Sequence, residues 1–187
     1  MRTAVIILDM AKGYGWKPGG YGYAMVDRVR KLKDEAYSAG LQVFHVNSMR
    51  RPSDNVGNPS MKEGTEALDV IEELQPVDKD ILVFKRYLSG FSYNDLDYNL
   101  RNLKIDTVVI AGASTDNTVL WTAADAFQLR YQVAVVEDCT MVHREKEPVE
   151  VQTYALRIVS NVLHSDVLPS ADAVTKYFEP SESTRAS

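Results

Sequence analysis

The chain lacks several features that would place it quickly. Its 187 residues include one cysteine, Cys139, so no intramolecular disulfide can form and a reducing, cytoplasmic setting is the expectation. There is no surplus of positive charge: the formal net charge is -5, whereas nucleic-acid binding needs a concentrated positive field. Arg50-Arg51 and Lys85-Arg86 are too short to reverse that, and no nucleic-acid partner is expected. No apolar run approaches membrane-spanning length, and no signal-peptide layout precedes the first strand, so no membrane partner is expected either. A complete dinucleotide fingerprint is also missing. Gly13-Tyr-Gly15-Trp-Lys-Pro18 imitates one, but the third glycine is absent and the strand that should supply a ribose-binding acid ends in Asn47. No cofactor is expected.

What is present reads as an ordinary globular domain, 45% apolar and 25% charged, long enough to bury a core unaided. One domain over residues 1–178 is expected, with a polar, aperiodic tail over 179–187. Short apolar runs recur at Ala4–Leu8, Val43–Val46, Ile81–Phe84, Val108–Ala111, Val133–Val136 and, more weakly, near Val167. They lack alternation, which marks strands buried on both faces. Helical spacing lies between them: Met25, Val29, Leu32 and Ala36, closed by Gly40; Leu120, Ala123, Ala124 and Phe127; Val151, Ala155, Ile158 and Val162. Shorter helices are expected over about 62–74 and 94–103. Strands alternating with helices mean an α/β fold, a three-layer α/β/α sandwich on a six-stranded, mainly parallel sheet of order 3-2-1-4-5-6.

In such sheets the ligand lies beyond the carboxyl ends of the strands where the order reverses, here between strands 1 and 4. Strand 1 ends in Asp9, a carboxylate that is costly to desolvate without a partner or a task. Strand 3 ends in Lys85, whose side chain is long enough to reach it. Strand 4 leads through Gly112-Ala-Ser-Thr-Asp-Asn-Thr118 into a helix, which puts Thr118 near a helix N-terminus that favours an anion or oxyanion. Ser114, Thr115, Asp116 and Thr118 also suit ordinary capping and turn roles. Residues 13–22 read as a mobile loop over the site, with Tyr14 and Trp16 as substrate contacts.

Ile6-Ile-Leu-Asp9-Met10, Lys85-Arg-Tyr-Leu-Ser-Gly-Phe91, Ala111 to Ala126 and Val135-Val-Glu-Asp138 together resemble the isochorismatase-like hydrolases, or cysteine hydrolase superfamily. The resemblance runs to about residue 175, and is strongest to members related to N-carbamoylsarcosine amidase. It implies hydrolysis of a carbamoyl or amide C–N bond in a small molecule, with Asp9 as base, Lys85 as its partner and a nucleophile at position 118. It also implies a cis peptide between Ala113 and Ser114, an oxyanion hole from the backbone N–H groups of Ser114 and Thr118, Ala113 beside the substrate, and a homodimer or homotetramer.

The chain departs from that pattern twice. Nicotinamidase-type members hold a metal through Asp-x-His after strand 2, where this chain has Phe44-His45-Val-Asn47. No metal is expected, and His45 reads as a structural histidine. The larger departure is Thr118 where the family has cysteine. A thiol has a pKa near 8.5 and ionises readily at a helix N-terminus, whereas an alcohol must lose its proton during attack. Cys139 follows strand 5, away from the nucleophile position, and reads as structural. Two other functions remain open: a vinyl ether hydrolase without a covalent nucleophile, for which Arg50, Arg51 and Arg86 would bind a dicarboxylate, and a catalytically silent small-molecule binding protein.

Overall fold

A computed structural model describes residues 1–20, 22–54, 58–143 and 148–178; the tail expected over 179–187 lies outside them. Six parallel strands form one sheet: β1 (Thr3–Leu8), β2 (Gln42–Ser48), β3 (Ile81–Lys85), β4 (Thr107–Ala113), β5 (Gln132–Met141) and β6 (Asp166–Leu168). Their order is β3-β2-β1-β4-β5-β6, so the direction of winding reverses between β1 and β4. All six residues of β1 and all seven of β4 are buried, as unalternating apolar runs require. The edge strands are not: β3 leaves Leu82 45% exposed and β6 is only partly covered.

Among the described residues five helices cover the sheet: α1 (Tyr23–Ser38), α2 (Leu96–Asn102), α3 (Leu120–Gln128), α4 (Pro148–Asn161) and α5 (Ser170–Tyr177). One core joins α1 and α5 to the inward face of β1, β4 and β5 through Met25, Val29, Leu32, Val109, Val136 and Tyr177. The other lies under α2, α3 and α4, with Leu96, Leu100, Ala123, Ala126 and Val159 on Ile6, Ile110 and Val135. The α1 stripe matches its spacing, and Gly40 follows at φ 72°.

Three local expectations need correction. Residues 62–74 do not form a helix but two short 3-10 turns, Glu66–Leu68 and Glu72–Leu74. Their backbone is committed elsewhere: Val70 bridges Ala11, Lys12 N–H donates to Asp69 O at 2.9 Å and Ile71 N–H to Met10 O at 3.1 Å. Tertiary pairing with the segment after β1 thus overrides local propensity. In α3 the buried residues are Thr122, Ala123 and Ala126, while Phe127 is 42% exposed; small side chains face the sheet and the aromatic ring turns out. In α4, Ala155 and Val159 are buried, whereas Ile158 and, just past the helix end, Val162 are 42% and 63% exposed. Apolar residues line both faces of that helix, so spacing alone selects the wrong one.

Candidate active site

The carboxyl ends of β1, β2, β3 and β4 bring one carboxylate, one amine and two hydroxyls into contact. Asp9 leaves β1 at φ 53°, a left-handed conformation unusual for a residue with a β-carbon. Its N–H still donates to Val46 O at 3.0 Å, and its carbonyl accepts the Trp16 indole N–H at 3.4 Å. The turn aims the carboxylate across the strand ends, where it is almost fully buried. Asp9 Oδ1 accepts from Ser48 N–H at 2.7 Å and Ser48 Oγ at 2.9 Å. Asp9 Oδ2 accepts from Thr118 Oγ1 at 2.8 Å and stands 3.0 Å from Lys85 Nζ.

Lys85 is opposite Ser48 in the β2–β3 register, which sends its side chain along the strand ends toward β1. Its ammonium is buried and donates to Ser48 Oγ at 2.7 Å, Tyr87 O at 3.1 Å and Thr118 Oγ1 at 3.2 Å. Burying such a charge is tolerable only with this degree of pairing. Thr118 therefore gives its proton to Asp9 and accepts one from Lys85.

Thr118 sits in a single π-helical turn, Thr115–Val119, between β4 and α3; such wide turns recur at functional sites. Just before the turn β4 approaches β1 closely at Gly112, which pairs with Leu8 at φ 112°. A β-carbon at Gly112 would overlap the Leu8 carbonyl oxygen, so only glycine fits. The Ala113–Ser114 peptide is cis. Ser114 Oγ donates to Asp116 Oδ1 at 2.6 Å and accepts His143 N–H at 3.0 Å. Ser114 O accepts Val119 N–H at 3.1 Å. Thr122 Oγ1 donates to Thr118 O at 2.6 Å and accepts Gly90 N–H at 2.8 Å, fastening the loop after β3 to the same turn.

Two cavities meet at Asp9, Tyr14, Asn117 and Thr118. The smaller, about 210 Å³, continues between Trp16, Ala113, Ser114, Asp116 and His143. The larger, about 330 Å³, runs past Ser48 and Lys85 to Met49, Met61, Leu88, Arg50 and Arg86. Tyr14 is held above its ordinary phenol range by burial first and the Asp9 charge second. The Trp16 ring packs 4.4 Å from His143, centroid to centroid. Burial holds His143 below its ordinary value, which keeps the ring neutral at pH 7.

The sequence-derived site residues Asp9, Lys85, Thr118, Ser114, Tyr14, Trp16 and Ala113 thus line the two adjoining cavities. His45 does not join them: its ring faces Asp80 at 3.3 Å in the strand interior. Among the described residues no cluster of three or more His, Cys, Asp or Glu side chains is placed to share a metal. Cys139 is fully buried, and desolvation pushes its thiol up to about 12. Arg51 pairs with Glu63 and lines neither cavity. Sequence reasoning missed Ser48 and His143. Ser48 is the last residue of β2, so the rule that looks to strand ends could have found it; His143 lies two residues past β5, beyond any motif.

A doubly wound α/β domain with a hydroxyl, a carboxylate and an ammonium at its switch point has the architecture of a hydrolytic enzyme. The chain belongs to the isochorismatase family: the family's "Isochorismatase domain" profile matches residues 3–163. It is similar to N-carbamoylsarcosine amidase from Thermoplasma acidophilum, 31% identical with a TM-score of 0.78 over 91% of this chain and 97% of that one. It is 29% identical to the ureidoacrylate amidohydrolase RutB of Agrobacterium fabrum, over 74% of this chain and 75% of that protein. The maleamate amidohydrolase of Pseudomonas putida is 27% identical over 92% of this chain and 85% of its own.

Proposed function

We propose that this chain is an amidohydrolase acting on a small amide or carbamoyl compound, with Thr118 as nucleophile, Asp9 as proton acceptor and donor, and Lys85 as the cation that holds both in place. The observation that carries this is the 2.8 Å hydrogen bond from Thr118 Oγ1 to Asp9 Oδ2, with Lys85 Nζ within 3.2 Å of both oxygens. That is the nucleophile–base–orienting group arrangement that covalent catalysis requires. The similar proteins named as amidase and amidohydrolases support the reaction class.

In this scheme Thr118 Oγ1 attacks the carbonyl carbon while its proton passes to Asp9 Oδ2. The oxyanion is held by the backbone N–H groups of Ser114 and Thr118. Collapse of the tetrahedral species breaks the C–N bond, and the departing nitrogen takes the proton from Asp9. Water then cleaves the Thr118 ester by the same route, with Asp9 as base. A neutral, hindered hydroxyl makes the first attack slower than a thiolate would.

The test is ammonia release from a panel of small amides and carbamoyl compounds by the wild type and Asp9→Asn. Release that depends on Asp9 supports the reading; no release from any member overturns it. A vinyl ether in the same panel separates the alternative in which Asp9 acts as an acid without a covalent nucleophile. The expected dimer or tetramer is read by sedimentation.

A further inference from the structure

We infer that Ser48 is a positioning residue for the proton transfers of this site: its hydroxyl clamps the Asp9 carboxylate so that the proton taken from Thr118 stays on Oδ2, facing the leaving nitrogen. The inference rests on the hydrolase reading for the reaction; the clamp itself rests on the hydrogen bonds.

The two hydroxyls of the site are arranged alike about one carboxylate. An ammonium has no lone pair, so where Lys85 Nζ meets Ser48 Oγ at 2.7 Å and Thr118 Oγ1 at 3.2 Å it donates to both. Each hydroxyl carries one proton, and with Lys85 on its acceptor side that proton is left for Asp9. Ser48 gives its proton to Oδ1 at 2.9 Å, and Thr118 gives its own to Oδ2 at 2.8 Å. Lys85 thus sets the direction of both hydrogen bonds. The Ser48 N–H adds a second donor to Oδ1 at 2.7 Å. Ser48 is itself fixed in the sheet, opposite Lys85 in register, with the next N–H, that of Met49, donating to Lys85 O at 2.9 Å.

The two carboxylate oxygens therefore differ in task. A proton on Oδ1 would point at the two Ser48 donors, whereas Oδ2 faces the hydroxyl whose proton is to move. The difference matters most after the first transfer. Attack forms the bond from Thr118 Oγ1 to the carbonyl carbon and leaves Asp9 a neutral acid with its O–H at Oδ2. The charge attraction to Lys85 is then gone, and the terminal torsion of an aspartate is broad and two-fold, so rotation would exchange the oxygens. Asp9 also lies outside regular strand geometry, at φ 53°. The two Ser48 donors remain on Oδ1 through this step and keep the Oδ2 proton aimed at the nitrogen, which takes it as the C–N bond breaks.

The experiment pairs a small amide with the p-nitrophenyl ester of the same acyl group, for the wild type, Ser48→Ala and Ser48→Thr. A departing amide nitrogen needs the proton from Oδ2, whereas nitrophenolate leaves without one. Ser48→Ala keeps the backbone donor and loses the hydroxyl. Its kcat/KM on the amide, read by ammonia release, is expected to fall by about ten-fold or more, and that on the ester, read by nitrophenolate absorbance, by less than about three-fold. Ser48→Thr keeps a hydroxyl on a residue suited to a strand end and restores most of the amide rate. A merely structural role would lower both substrates alike. Equal losses on the two, an unchanged Ser48→Ala, or no restoration by Ser48→Thr overturns the inference and leaves the hydrolase reading standing. If the wild type releases no ammonia at all, that reading falls. The clamp is then judged by urea unfolding of Ser48→Ala, Asp9→Asn and the double variant: non-additive losses uphold it, and strictly additive ones overturn it.

Discussion

Replacing Lys85 with methionine keeps most of the side-chain stem and removes the charge, so it isolates the electrostatic role of the residue. The wild-type ammonium is 2% exposed and its partner Asp9 carboxylate 6% exposed. The variant loses the 3.0 Å ion pair and the donations to Ser48, Thr118 and the Tyr87 carbonyl. Asp9 keeps only the two Ser48 donors and Thr118. Removing one partner of a buried pair costs about 3–5 kcal/mol, against roughly 1 kcal/mol or less for an exposed pair. With a urea slope of about 2 kcal/mol per molar, the unfolding midpoint should fall by about 1.5–2.5 M. Lys85→Met combined with Asp9→Asn should cost clearly less than the sum of the two single changes, since the second removes the charge that the first leaves stranded. The assay is urea unfolding followed by circular dichroism. A midpoint shift under about 0.5 M, or strict additivity in the double variant, would refute the claim that these groups form a buried, mutually dependent pair.

Three other outcomes are expected. Gly112→Ala should cost more than about 3 kcal/mol or abolish folding, because β1 and β4 cannot separate to admit the β-carbon without breaking their ladder; thermal melting measures it, and a melting point within a few degrees of wild type would count against the close approach. Cys139 should not react with a disulfide reagent at pH 8 in the folded protein and should react fully in denaturant, since burial holds its thiol near 12; rapid native labelling would show the site to be open. His143 is a base whose folded value is depressed, so the unfolded chain binds its proton more readily. The stability it confers is complete above about pH 6.5 and falls as the solution is acidified below that. His143→Phe should therefore lose less stability than the wild type between pH 7 and 5, and equal losses would contradict this.

The sheet order and the meeting of Asp9, Lys85 and Thr118 could be read from sequence because both follow from position. Buried parallel strands announce themselves as unbroken apolar runs, and the residue that ends each run must lie at the ligand edge. The faces of α3 and α4 could not be read, because Trp121, Phe127, Tyr154, Ile158 and Val162 leave apolar side chains on the outer surface as well. Residues 62–74 read as a helix, but Asp69 O, the Ile71 N–H and the Val70 bridge are committed to the segment after β1, a long-range contact with no local signal. Ser48 ends β2 and was within reach of the strand-end rule, whereas His143 lies in no motif and is found only once β5 is placed beside β4. Arg50 and Arg86 were equivalent in sequence. Asp54 is what separates them, by neutralising one and leaving the other with a net charge.

The most direct test of the central claim compares ammonia release by the wild type with that of Thr118→Val and Thr118→Cys on the best amide of the panel. Valine keeps the shape of the side chain and removes the hydroxyl that donates to Asp9. Loss of activity by about a thousand-fold or more in Thr118→Val, with activity retained or raised in Thr118→Cys, is the result the account expects. Undiminished turnover by Thr118→Val would contradict it, because the hydroxyl could then not be the attacking group.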